Sequence, residues 1–237
     1  MRLDKYISES TAFSRKDIKK LVKCGEVAVN GVTAGKPEMQ ITEADRVEIN
    51  GQAVVYRKYV YLMMNKPQGY LSATEDKRDP VVVDIIPEEY KHFEVFSVGR
   101  LDKDTEGLLI LSNDGQFAHA VTSPKKNVYK RYFAVLDKPA QAEDIEIFKQ
   151  GMEFKEFTAQ PARLEITENP CEVYIEIAEG KFHQVKRMCE RVGKTVTFLK
   201  RVSIGGLKLD AGLASGAVRE LTVEELEAIG KGEAPKF

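Results

Sequence analysis

The residues that could do chemistry concentrate in one stretch, Val98-Gly99-Arg100-Leu101-Asp102-Lys103-Asp104-Thr105-Glu106-Gly107-Leu108-Leu109-Ile110-Leu111-Ser112-Asn113-Asp114-Gly115. A carboxylate serves as nucleophile or base only when it is held in place. Gly99 allows a tight or positive-φ path, so the residues after it project from a loop. Leu108 to Leu111 are apolar and bounded by turn formers, the pattern of a strand buried on both faces. Asn113-Asp114-Gly115 ends that strand, and Asn113 or Asp114 can cap a helix starting near Gln116. Asp102 thus sits on a loop against a rigid strand, which suits a reactive carboxylate. Spacing alone still favours the plainer role of turn or cap former.

The surrounding elements carry further polar candidates. Tyr59 to Met64 reads as a strand running into Asn65-Lys66-Pro67-Gln68-Gly69, where Pro67 and Gly69 make a turn with Lys66 at its tip. Lys125 to Val135 interleaves basic residues with Tyr129, Tyr132 and Phe133, a mixture suited to phosphate contact and base stacking. Ala142 to Gln150 is a helix, and Glu172 to Ile177 alternates as a strand with one wet face. Gly180-Lys181-Phe182-His183-Gln184-Val185-Lys186-Arg187-Met188 then opens a helix whose apolar face is Val185, Met188, Cys189 and Val192. Lys186 and Arg187 fall off that face.

At the N-terminus, Ser14 caps a second helix, Asp17 completes a capping box, and Ile18, Leu21 and Val22 form its core stripe. Asn30-Gly31 and Asn50-Gly51 each signal a tight hairpin. Net charge is −1, which argues against a uniformly basic nucleic-acid binder. Local clusters argue otherwise. Ser14 to Gly25 holds five basic residues, Arg15, Lys16, Lys19, Lys20 and Lys23, against Asp17, and Lys181 to Lys208 holds eight against Glu190. Such patches steer a polyanion whatever the total charge. The 3 cysteines and 3 histidines are scattered, so no disulfide framework, metal site or cofactor is expected. No apolar run is long enough to span a bilayer and no secretory h-region is visible, so a cytoplasmic protein without membrane contact is expected.

The central stretch resembles the G-R-L-D-x-x-T-x-G-L-L signature of pseudouridine synthases of the RsuA and RluA type. Asn65-Lys66-Pro67-Gln68-Gly69 is similar to that family's first motif, Lys130-Arg131-Tyr132 to its K-x-Y context, and Ile204-Gly205-Gly206-Leu207 to its last. The resemblance implies that Asp102 is the catalytic carboxylate, Tyr132 the active-site tyrosine, and Lys186 the cation that neutralises and orients Asp102. It further implies substrate roles for Arg100, which fills the space left by an everted base, and for Lys66, His183, Gln184 and Arg187. Leu199 and Ile204 are both candidates for the aliphatic residue packed against the target base. His183-Gln184 stands where large-subunit relatives usually carry Asn-Arg, so the likeness is closest to the RsuA branch, whose substrate is 16S ribosomal RNA.

Residues 1–52 resemble the S4 RNA-binding module, 53–58 read as a linker, and 59–237 as the catalytic domain. The fold class expected is α+β, with a mixed, mostly antiparallel sheet in two subdomains. The partner implied is small-subunit ribosomal RNA or a 30S assembly intermediate, met by a monomer. The alternatives are a 23S ribosomal RNA target, or a non-catalytic RNA-binding protein of the same shape. Replacing Lys16 and Lys20 together by Ala should weaken RNA binding and flatten its log–log salt dependence by about 1.5. Filter binding across a salt series checks this, and unchanged affinity would empty the S4 reading of functional content.

Overall fold

The computed structural model describes residues 1–123 and 126–231; Lys125, at the head of the basic and aromatic stretch, lies outside the described residues. The chain divides into two compact units, Met1–Val60 with Ile86–Val95, and Tyr61–Ile85 with the chain from Phe96 onward.

In the first unit, α1 (Leu3–Ser10) and α2 (Arg15–Lys23) pair with each other beside a four-stranded antiparallel sheet. Its strands are β1 (Val27–Val29), β2 (Val32–Thr33), β3 (Val47–Ile49) and β4 (Gln52–Val54), in the order β2-β1-β3-β4. Both Asn-Gly pairs turn hairpins with positive φ at each residue (54° and 79°, then 50° and 76°), which Asn and Gly tolerate best. The Ser14 hydroxyl accepts from the Asp17 amide at 3.2 Å, and the Asp17 carboxylate accepts from the Ser14 amide at 3.3 Å, closing the expected capping box. Leu3, Ile7, Ile18, Val22, Val27 and Val47 make the core. That burial leaves Arg15, Lys16, Lys19, Lys20 and Lys23 exposed. The segment read as a linker begins inside β4, and Tyr56 within it stacks on Tyr6 with ring centres 5.1 Å apart. A short helix, α3 (Glu88–Lys91), belongs to the same unit.

The second unit is built on one nine-stranded sheet. Its strands are β5 (Tyr61–Lys66), β6 (Phe96–Val98), β7 (Glu106–Ser112), β8 (Lys130–Leu136), β11 (Arg163–Ile166), β12 (Glu172–Ile177), β13 (Val196–Ile204), β14 (Leu207–Lys208) and β15 (Val218–Glu220). The hairpin β9 (Met152–Glu153) and β10 (Thr158–Ala159) stands apart from it. The order is β11-β12-β8-β13-β7-β5-β15, with β6 on β7 and β14 on β13. Leu108 to Leu111 are fully buried, as a strand covered on both faces requires. Helices α4 (Gly115–Thr122) and α7 (Val223–Ile229) place Val121 and Ile229 in a core with Met63, Leu108, Ile110 and Ile204. Helix α5 (Ala142–Gln150) buries Phe148, and α6 (Gln184–Arg191) buries Val185, Met188 and Cys189. Among the described residues no helix is long and apolar enough to cross a membrane.

The pairs along this sheet are antiparallel except at its middle, where β13 runs parallel to β7 with Lys200 opposite Glu106 and Arg201 opposite Gly107. That seam joins two antiparallel halves, and Gly107 makes it possible. Its φ is +100°, and a Cβ there would lie 2.2 Å from the Arg201 carbonyl oxygen. Gly107→Ala should therefore cost about 3 kcal/mol from strain plus overlap. Urea unfolding measures it, and a wild-type midpoint would contradict the seam's tight packing.

Candidate active site

A cleft of about 210 Å³ opens where the loop before β7 meets β8, the end of β12, the start of α6 and β13; Arg100, Asp102, Tyr132, His183, Lys186 and Leu199 are among its lining residues. Three fixed pieces of backbone build it. The first is the 100–105 loop. The Lys66 ammonium, wholly buried at the end of β5, donates to the carbonyls of Pro67 (3.0 Å), Asp102 (3.1 Å), Lys103 (3.4 Å) and Thr105 (2.9 Å). The Ser72 hydroxyl donates to the Leu101 carbonyl at 2.9 Å and accepts from the Leu101 amide at 3.0 Å. Asp102 is thus held from both sides.

The second piece is the entry to α6. His183 takes a left-handed conformation (φ 51°, ψ 30°), and the buried Gln184 side chain accepts from the Lys181 amide and donates to Glu179, both at 3.0 Å. The turn brings His183 Nε2 to 3.7 Å and Lys186 Nζ to 3.8 Å from the two Asp102 oxygens. Lys186 makes a shorter bond, 2.5 Å, to Asp104. Burial alone would raise the Asp104 carboxyl, but the Lys186 ammonium outweighs it and holds the group below the ordinary carboxylate range. The third piece is β13, which carries Leu199 into the cleft and Arg201 behind it. Arg201 is 4% exposed; its guanidinium donates to the Leu108 carbonyl at 2.8 Å and reaches the Tyr132 hydroxyl at 3.5 Å.

A carboxylate in a cleft with a cation on one flank and aromatic and aliphatic walls suits attack on a flat, uncharged ring system or the sugar that bears it. The RNA pseudouridylate synthase family matches residues 60–191, and the S4 domain matches residues 1–54. The chain belongs to the RNA pseudouridylate synthase family. It is 46% identical to an uncharacterized RNA pseudouridine synthase of Bacillus subtilis over 99% of this chain and 100% of the relative. It is 36% identical to ribosomal small subunit pseudouridine synthase A of Escherichia coli, over 97% of this chain and 100% of that one. A crystal structure of a pseudouridylate synthase superposes with a TM-score of 0.68 at 33% identity, covering 97% of this chain and 99% of the other.

Within this synthase the sequence-predicted residues separate into groups. Asp102, Tyr132, Lys186, Arg100, His183, Gln184 and Leu199 line one cleft. Ile204 does not. It is buried in the core with Met63 and Leu108, so of the two aliphatic candidates Leu199 is the one that lines the cleft. Lys66, read as the tip of a turn with a substrate role, instead ends β5 inside the protein, where four carbonyls converge on its ammonium. Arg187 is ion-paired with Glu156 outside the cleft. The basic strand β8 offers less to phosphate than its composition suggests: Lys130 is buried and donates to the Ala178 carbonyl at 3.2 Å, while Arg131 pairs with Glu165 and Glu176.

Asp104 and Arg201 touch the cleft residues Lys186 and Tyr132, and sequence reasoning passed over both. Arg201 lies two residues after Leu199 on a strand, which puts both on one face, and that alternation was the available signal. Asp104 had none, since its bond to Lys186 spans 82 residues.

Burial pushes the Lys66 ammonium down to about 8, against the pull of Asp104, Asp102 and Glu106. It therefore stays charged at neutral pH. Since the folded value lies below 10.5, the unfolded chain binds more protons between about pH 8 and 10.5, and this group's contribution to stability rises with pH there. Lys66→Met should cost about 3 kcal/mol at pH 7 by leaving buried carbonyls unpaired. It should also remove that component of the pH slope, and urea titrations at pH 7, 8, 9 and 10 would read both.

Proposed function

We propose that this synthase converts a uridine of small-subunit, 16S, ribosomal RNA to pseudouridine, with Asp102 as the nucleophile that starts the reaction. The observation that supports it most is the Asp102 carboxylate fixed in a cleft within 3.8 Å of Lys186 and alongside Tyr132. In the isomerisation the N1–C1′ bond breaks and a C5–C1′ bond forms. The C5 proton leaves to solvent, and N1, freed of the sugar, takes up a proton in exchange. A stacked or paired uracil cannot turn over, so the nucleotide must be everted into the cleft. There Tyr132 and Leu199 bracket the ring, Lys186 supplies the counter-charge to Asp102, and Arg100 at the rim occupies the space the base has left.

The assignment to 16S RNA rests on the names of relatives such as the Escherichia coli enzyme and on His183-Gln184 at the start of α6. The exposed cations of α2 add a sequence-independent attraction to phosphate. The working form is a cytoplasmic monomer acting on ribosomal RNA or a 30S assembly intermediate.

Tritium at uridine C5 tests the proposal, since each turnover releases it. Wild-type protein should release label from 16S transcript or from an assembly intermediate, and Asp102→Asn should lower the rate at least about 10³-fold. Equal release by the two would remove Asp102 from its role. Modification mapped to 23S RNA alone would overturn the target, and binding without release from any substrate would favour a non-catalytic RNA-binding protein.

A further inference from the structure

Phe182 is 73% exposed at the mouth of the cleft. A single exposed aromatic residue is ordinary on a protein surface. This one is preorganised. Its ring stacks on the His183 imidazole with centres 3.9 Å apart and planes 16° from parallel, and His183 is itself fixed by its left-handed backbone and lies 3.7 Å from Asp102. The two rings make a step that leads outward from the catalytic carboxylate.

Beside the step is a second, open groove of about 710 Å³, which shares Lys181, Phe182, His183 and Lys186 with the cleft. Its far wall is the β9–β10 turn, where the Arg187 guanidinium lies 4.9 Å and 4.8 Å from the ring centres of Phe154 and Phe157 and pairs with Glu156. Three cations, Lys181, Lys186 and Arg187, thus surround an exposed aromatic face, against the carboxylates of Glu156 and Glu190. Arg187 is paired with Glu156, and Lys186 with Asp104 and Asp102, which leaves Lys181 as the groove cation with no ion pair among the described residues. A flat exposed ring beside that cation, with a path into the cleft, fits a nucleotide.

We propose that Phe182 is the stacking platform for the nucleotide adjoining the everted uridine, with the groove between α6 and the β9–β10 turn carrying the strand away from the cleft. The proposal rests on the pseudouridine synthase reading. Every base has a π-face, so the platform holds the neighbouring base whatever its identity, and the contribution falls on affinity for single-stranded RNA. Stacking also holds the flanking base while the target is out of the helix.

The chain contains no tryptophan, so Phe182→Trp installs a single indole at the platform. Its emission should be quenched when a 16S fragment that wild type modifies is added. The quench should be lost when the nucleotide next to the target is made abasic. Phe182→Ala should raise KM about tenfold, well beyond any fall in kcat, and Phe182→Tyr should restore it. An indole silent at RNA concentrations that saturate filter binding would overturn the platform, as would a Phe182→Ala KM within twofold of wild type. Failure of the underlying reading looks different: wild type releases no tritium from the same fragment, while the indole titration still decides whether a base lands on residue 182.

Discussion

A single buried ammonium organises the catalytic half of this protein. Lys66 has three protons and four carbonyl oxygens converging on it, three of them from the loop 102–105 that carries Asp102. Taking an ammonium out of water is costly, and the cost is offset here because the loop's carbonyl dipoles point inward and Asp104, Asp102 and Glu106 lie near. The exchange binds the last residue of β5 to the loop, beside the Gly69 amide's bond to the Lys103 carbonyl at 2.8 Å. With Ser72 clamping Leu101, the backbone of Asp102 is fixed before any substrate arrives. Preorganisation of that kind is what an electrostatic site requires.

The seam between β7 and β13 serves the same end from the other side. Two antiparallel half-sheets meet there through a short parallel pairing, and the backbone at Gly107 approaches so closely that a side chain has no room. Leu199 and Arg201 are thereby brought against the loop that β7 emerges from. Arg201 braces the Tyr132 hydroxyl and the Leu108 carbonyl from behind, while its Nη2, like the Thr105 hydroxyl, has no hydrogen-bond partner among the described residues. Buried polar atoms without partners are uncommon in folded proteins. Both cluster at the cleft.

Charge is distributed by the same logic. Of the eight basic residues between Lys181 and Lys208, Arg201 and Lys194 are buried, the latter paired with Asp144 at 2.6 Å. The apparent basic surface of that segment is therefore partly internal bracing. The α2 cluster keeps its charge outside, because the capping box and the Ile18 and Val22 stripe orient the helix with its cations in water. A chain with net charge −1 can still attract a polyanion through such a face.

Much of this was legible in the residues alone. Short-range rules act between neighbours in the chain, so the Asn-Gly hairpins, the Ser14 and Asp114 caps, the buried Leu108–Leu111 strand and the alternation of β12 follow from spacing. The long G-R-L-D stretch and its companions marked the family and most of the cleft. What spacing could not decide was direction and partnership over long separations. That Lys66 turns inward, that Ile204 joins the core while Leu199 faces the cleft, and that Lys186 divides itself between Asp104 and Asp102 depend on which strands lie side by side. A charged side chain reads the same in sequence whether it meets water, a phosphate or a ring of carbonyls; only the folded backbone supplies the partner that settles which.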